Sequence, residues 1–224
     1  ASDVAHDLPV RLFGKSHVKA VAQPAEVSDR VLATRGIVRE ETFNAHTDGH
    51  AYGDFYPDYF LLLCERQSSN GGENFLVDGE AVMADLAANP ARSWVVEALQ
   101  SAPIDQTSKQ PCVSPAIQQT SHGRRMFKAR LPGPPTMFQA QRVAADSSNP
   151  SRDKEMIEAY HAAIQRRVDI GGRWKIQPGE ALLVDNYRMF HGREPYADPD
   201  RLLWRIWFWT DQCKGVPEGE LFST

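Results

Sequence analysis

The stretch from Arg173 to Thr210, RWKIQPGEALLVDNYRMFHGREPYADPDRLLWRIWFWT, carries the pattern that decides the fold. It contains three short periodic segments that read as strands, Arg173–Ile176, Ala181–Asp185 and Leu202–Thr210, with branched and aromatic residues that suit a pleated surface. Gln177-Pro178-Gly179-Glu180 is a turn signal between the first two, and Ala197-Asp198-Pro199-Asp200 reads as a hairpin turn before the third. Further out, Tyr59–Cys64 (YFLLLC), Asn74–Val77 and Arg125–Leu131 read as strands in the same way. Helical signals are fewer. Glu80–Ala88 (EAVMADLAA) is stopped by Asn89-Pro90, and Arg92–Gln100 spaces Trp94, Val95, Ala98 and Leu99 on one face. Ser151–Val168 does the same with Met156, Ile157, Tyr160, Ala163 and Ile164. Strands outnumber helices, and the helices sit in insertions rather than alternating with strands. The expected fold is mainly β with flanking helices, an antiparallel double-sheet jelly roll. Ser101–Gln119 and Pro132–Pro150 read as long loops, of the kind that form lids or binding segments.

A chain of 224 residues with 42% hydrophobic and 24% charged residues is a globular composition. At roughly 150 residues per domain it corresponds to a single domain, 1–224. With 25 basic and 29 acidic residues the net charge is -4, which gives no basic face for nucleic acid. No apolar run approaches the ~20 residues of a membrane helix, and Ala1–Lys15 lacks the apolar centre of a signal peptide. Cys64, Cys112 and Cys213 are odd in number and far apart, so the expectation is a reducing cytoplasm rather than a disulfide framework.

Three features carry chemistry. In extended chain, residues i and i+2 share a face, so His46 and Asp48 can aim an imidazole nitrogen and a carboxylate oxygen at one point with Thr47 turned away. The same triplet also occurs in ordinary solvated turns. Far downstream, an apolar strand runs into Asp185-Asn186 and then to His191. A second histidine entering beside the pair would complete a two-His, one-carboxylate face with open coordination positions, which is diagnostic of non-haem Fe(II) oxygenases. A core histidine bonded to a backbone carbonyl is the other reading of His191. Third, Arg205 stands in the most apolar run of the chain and must meet an anion, since an unpaired buried charge costs several kcal/mol. If the loop around Asp198 is a hairpin with even register, Arg205 and His191 lie opposite each other on neighbouring strands. An internal Asp or Glu is the competing partner for Arg205.

Together, His46-x-Asp48, Gly71-Gly72-Glu73-Asn74, Asp185-Asn186-x-Arg188-x-x-His191-Gly192-Arg193 and Arg205, fourteen positions after His191, resemble one family. It is the taurine dioxygenase, clavaminate synthase and γ-butyrobetaine hydroxylase group of Fe(II)- and 2-oxoglutarate-dependent oxygenases, and the resemblance runs from about Arg35 to Asp211. It implies a double-stranded β-helix with iron held by His46, Asp48 and His191. It also implies 2-oxoglutarate as cosubstrate, O2 as oxidant, and release of succinate and CO2. Arg205 would pair with the distal carboxylate of the cosubstrate, with Arg201 as a second basic candidate and Asn74 at the position where relatives often carry a hydrogen-bonding Thr. Against the relatives' pattern, residues 1–34 form a reduced N-terminal covering, 35–211 the core and 212–224 a tail. The pocket is then more open, or is completed by a partner subunit in a homo-oligomer.

The expected substrate is a small molecule, amino-acid- or amine-derived, with hydroxylation as the outcome. Candidate substrate contacts are His50, Tyr52 and Asp54 just after the triplet, where aromatic rings and a carboxylate could hold a cation, and Arg130 for an anionic group. Arg188 and Arg193 read as ion-pair partners of Asp185 and Glu194. Two rivals remain at this point: a jelly-roll binding protein without turnover, and a cupin-like metal hydrolase or isomerase without the oxoacid.

Overall fold

A computed structural model describes residues 19–24, 41–108, 111–133, 140–198 and 201–217. Its centre is two antiparallel sheets. The larger has the order β1 (Lys19–Pro24), β12 (Leu202–Trp209), β3 (Tyr59–Arg66), β10 (Ala181–Asp185). The smaller has the order β2 (Phe43–His46), β11 (Met189–Arg193), β4 (Asn74–Asp78). Strands β3 and β12 are internal, and both faces of each are covered, which explains their nearly unbroken apolar sequences. The sheets face each other: Phe60, Val184 and Trp207 of the larger pack with Leu76 and Met189 of the smaller.

The outer face of the smaller sheet is closed by three helices, α1 (Gly79–Ala88), α2 (Ser93–Ser101) and α3 (Pro150–Ile170). Phe75, Val77 and Phe190 meet Val82, Leu86, Leu99, Met156, Tyr160 and Ile164 in the main apolar core. Each sequence-expected helix is present within two residues of its expected bounds. Asp78 caps α1 by accepting from the Glu80 N–H at 3.0 Å. Asn149 caps α3 by accepting from the Arg152 N–H at 3.3 Å, with Pro150 in the first turn.

Four expectations change. Arg173–Ile176 is no strand: only Trp174 bridges, to Asn74. The Arg173 guanidinium instead donates to the Val168 and Gly171 carbonyls at the end of α3, so the segment is held by helix capping. Arg125–Leu131 is extended but divided between partners. Strand β8 (Arg125–Phe127) pairs with β7 (Ile117–Gln119), whereas Arg130 bridges His46. The two long loops also carry short strands, β5 (Ile104–Asp105), β6 (Val113–Ser114) and β9 (Arg142–Val143), in a small sheet of order β6-β5-β9.

The fourth change bears on the site. β11 and β12 are not hairpin neighbours but belong to different sheets. After β11 the chain keeps following the segment that leads into β4: Glu194 N–H donates to Glu73 O and Gly72 N–H to Pro195 O, both at 2.8 Å. Only then does it cross to the larger sheet. His191 is therefore opposite His46 and Leu76, and Arg205 is opposite Leu62 and Gln23. Pro199 and Asp200 of the expected turn lie outside the described residues, as does most of 1–34.

Candidate metal centre

The smaller sheet builds two-thirds of the centre by register alone. His46 ends β2, His191 is the middle residue of β11, and the two are direct cross-strand partners with ring centroids 4.3 Å apart. Phe43 packs edge-on against the His46 ring at 4.3 Å, and Phe60 from the opposite sheet packs against His191 at 4.4 Å. The chain then turns. Thr47 N–H donates to Ala129 O at 3.0 Å, and Gly49 takes a left-handed conformation at φ 84°, where a Cβ would also collide with Pro57. This turn carries the Asp48 carboxylate back over the histidines. Its Oδ1 lies 3.5 Å from His46 Nε2 and 3.6 Å from His191 Nε2.

The donor atoms of His46, Asp48 and His191 all lie within 4.8 Å of one another, the only such group of three among the described residues. Ligands about 2.1 Å from a metal and at right angles to each other would stand roughly 3 Å apart, so the spacing fits an ion with slight contraction. The donor chemistry fits too. His46 Nδ1–H donates to Asn44 O at 2.8 Å, which fixes the tautomer that leaves Nε2 as the lone-pair donor. Burial pushes the His191 pKa down to about 4, helped by the neighbouring His46, so this imidazole is neutral at physiological pH. Burial opposes the charge on Asp48, but Arg205 and then the two histidines outweigh it and hold the carboxyl well below the usual range. Two imidazoles and one carboxylate form a face suited to a divalent first-row ion.

Asp48 is held from every side. Its backbone N–H donates to Asn186 Oδ1 at 2.9 Å, while Asn186 Nδ2 donates to Asp48 O at 3.2 Å and Pro57 O at 2.7 Å. Trp207 Nε1–H donates to Oδ2 at 2.8 Å, leaving Oδ1 turned to the imidazoles. Arg205 Nη1 approaches both carboxylate oxygens at 3.4 Å and its guanidinium stacks 4.7 Å from the Trp207 ring. Arg205 and Trp207 are i and i+2 on β12, and this alternation brings both to one carboxylate. The sequence reading had no role for Trp207. Its signal was its spacing from Arg205 on a strand already recognised.

The other expected residues fall in three places. Arg201 lies against Gly72, two residues before Asn74, donates from Nε to Gln67 Oε1 at 2.9 Å and packs over Tyr196 at 4.7 Å. Asn74 is buried, and its Nδ2 has no hydrogen-bond partner among the described residues. Behind the ligand turn sit His50, Arg130 and Tyr52, all buried. His50 Nε2 faces Ala129 O at 3.2 Å and Thr47 Oγ1 at 3.3 Å, and Tyr52 meets Trp207 and Trp209 edge-on at 5.8 and 5.4 Å. Asp54 is engaged elsewhere, accepting from Ser114, Gln118 and Lys214 at 2.8 to 3.0 Å. Arg188 pairs with Asp78 rather than Asp185, which is taken by Arg124, and Glu194 is taken by Arg173.

With this geometry established, comparison with known proteins is direct. The family model described as taurine catabolism dioxygenase TauD, TfdA family, matches residues 5–207. The chain belongs to the TauD/TfdA family. Among curated relatives, γ-butyrobetaine dioxygenase of Homo sapiens is 26% identical over 183 residues, covering 76% of this chain and 44% of that protein. Clavaminate synthase 2 of Streptomyces clavuligerus is 23% identical over 195 residues, covering 81% and 54%. The chain thus spans about half the length of the curated TauD/TfdA relatives it matches. Among solved structures, asparagine oxygenase in complex with Fe(II), 3-hydroxyasparagine and succinate superposes with a TM-score of 0.56 at 19% identity, covering 75% of this chain and 50% of that one. The PvcB protein of Pseudomonas aeruginosa gives 0.55 at 15% identity, covering 93% and 68%. These likenesses establish the jelly-roll fold. Within the described residues no helix is long and apolar enough to cross a membrane.

Proposed function

We propose that this protein is an Fe(II)- and 2-oxoglutarate-dependent oxygenase that hydroxylates a small amino-acid- or amine-derived molecule in a reducing cytoplasm. The observation that carries this reading is the convergence of His46, Asp48 and His191 with an arginine beside the carboxylate. When bound, iron and 2-oxoglutarate would supply the oxidising chemistry, converting the cosubstrate to succinate and CO2 as oxygen is delivered to the substrate. The chain's part is to hold and orient. His46, His191 and Asp48 would occupy one face of the ion and leave the opposite face for exogenous groups.

Strand spacing supports a division of labour between the arginines. Leu76 lies opposite His191, and Asn74 is two residues along β4 from Leu76, about 6.6 Å at ~3.3 Å per residue. That is close to the reach of an extended five-carbon diacid chelated through its 1-carboxylate and keto oxygen. Asn74 and Arg201, the latter lying against Gly72 two residues before Asn74, are therefore the better pair for the distal carboxylate. Arg205 contacts a metal ligand, so it stands too near the ion for that role and instead suits an anionic group of the bound substrate. Hydroxylation of a molecule with an amino-acid carboxylate agrees with such a cation and with the asparagine oxygenase likeness. The unpaired cysteines agree with a reducing compartment.

The test is anaerobic titration with Fe(II) followed by 2-oxoglutarate. A visible charge-transfer absorption on adding the oxoacid is expected, weakened by Arg201→Ala more than by Arg205→Ala. Amino acids and amines are then screened for stimulated succinate release. Iron binding without any absorption change or succinate release would overturn the reading in favour of a metal-binding protein without 2-oxoglutarate.

A further inference from the structure

Behind the ligand turn, the proposed reaction leaves unused a second cluster of reactive groups. Lys128 is 2% exposed and Cys112 5% exposed, yet Lys128 Nζ lies 3.1 Å from Cys112 Sγ. The amine also donates to Gly53 O at 2.6 Å and lies 5.6 Å from the centre of the Tyr56 ring. The Asp54 carboxylate is 3.4 Å from the thiol but 3.9 Å from Nζ, and its main cationic partner is Lys214 at 3.0 Å. Ser114 Oγ stands 3.6 Å from Sγ. Burial pulls the Lys128 amine below its ordinary range against the opposing pull of Cys112 and Asp54, and Arg130 pushes the same way as burial. A cysteine sulfur and a lysine nitrogen are thus packed in contact and almost shut off from solvent.

We propose that Cys112 and Lys128 form a reversible covalent bridge of the type Cys–S–O–NH–Lys, with dioxygen as the oxidant. Counted from thiol and amine, one S–H bond and one N–H bond break, and an S–O and an O–N bond form. The second oxygen atom leaves as water with the two hydrogens. Sulfur and nitrogen each give up two electrons, and these four reduce O2. Two equivalents of a dithiol return the four electrons and regenerate thiol, amine and a second water. Inserting one oxygen needs only a small approach of the two atoms. A direct S–N bond, the usual outcome when a sulfenic acid meets a nitrogen, would require them to close by nearly half their separation.

The position gives the bridge a consequence. Lys128 precedes Ala129, whose carbonyl accepts from Thr47 N–H, and Arg130 bridges His46. Cys112 precedes β6 in the small outer sheet. The bridge would staple the support of the ligand turn to that sheet and respond to oxygen and thiol levels whether or not the metal centre turns over.

The test is intact mass spectrometry, without reductant, of the full chain reduced anaerobically and then equilibrated with air. The expected mass change is one oxygen gained and two hydrogens lost, reversed by excess dithiol. Digestion should yield one linked peptide joining the Cys112 and Lys128 segments, while Cys64 and Cys213 still react with an alkylating agent. The bridged form should also show a higher thermal midpoint than the reduced form, a difference abolished in Cys112→Ser. Because the primary measurement uses the unaltered chain, it does not depend on a Lys128 variant folding. Unchanged mass with Cys112 still alkylated, or oxygen added to Cys112 without a linked peptide, would overturn the proposal. So would an equal yield of linked peptide from chain oxidised in urea, since the folded contact would then play no part.

Discussion

Asp48 is the most constrained side chain at the site, and its neighbours make separable predictions. Trp207→Phe keeps a ring against Tyr52 but removes the only indole N–H on Oδ2. Metal affinity should fall about 10- to 100-fold with secondary structure intact, as read by titration with Fe(II) or Co(II). Asn186→Ala strips partners from three buried backbone groups, Asp48 N–H, Asp48 O and Pro57 O. It should lower unfolding free energy by about 1–3 kcal/mol or more in urea. The grouping of His46, Asp48 and His191 was legible from residue type and spacing, although a turn after β2 rather than the alternation of an extended strand brings Asp48 over the histidines. Asp54 and Tyr52 were not. A carboxylate or ring in a loop has no address of its own, and the partners that claim these two, Lys214 and Trp209, come from more than 150 residues away.

At the level of elements, β11 is wedged between β2 and β4, and Gly192 is where the fit is closest. A Cβ there would run into both the Phe75 ring and the Phe43 carbonyl, and the carbonyl cannot swing aside. Gly192→Ala should cost at least about 1–3 kcal/mol, seen as a lower urea midpoint. On α3, His161 lies 2.9 Å from Gln141 Oε1, and burial lowers its pKa to about 4. The unfolded chain protonates this residue near its ordinary value of about 6.5. Between these values the unfolded state binds more protons, so stability falls as pH drops from about 6.5 to about 4 and levels off below that. His161→Gln should flatten this part of the pH profile of the urea midpoint. Helices and the long strands were readable from local periodicity and caps. The hairpin reading of Ala197–Asp200 failed because turn chemistry looks the same whether a chain doubles back in its sheet or crosses to the other. The bonds that decide it, from Glu194 and Gly72, join segments more than 120 residues apart.

Across the whole molecule, the two sheets contribute unequally to the centre. Both histidines belong to the smaller sheet, while Asp48 is drawn over them by Trp207 and Arg205 of the larger. Metal that binds only the folded chain should stabilise it by about 2.7 kcal/mol at one hundred times its dissociation constant. Thermal unfolding with and without Fe(II) or Mn(II) should show this gain, and Asp48→Ala should lose most of it. Loosening between the layers would release the carboxylate and leave a bare imidazole pair, whose preference shifts away from iron toward copper, nickel and zinc. Protein held in mild denaturant should therefore exchange its metal content for these softer ions, as read by elemental analysis, before circular dichroism reports any loss of structure. Fidelity for iron would then depend on how firmly one sheet stays seated on the other.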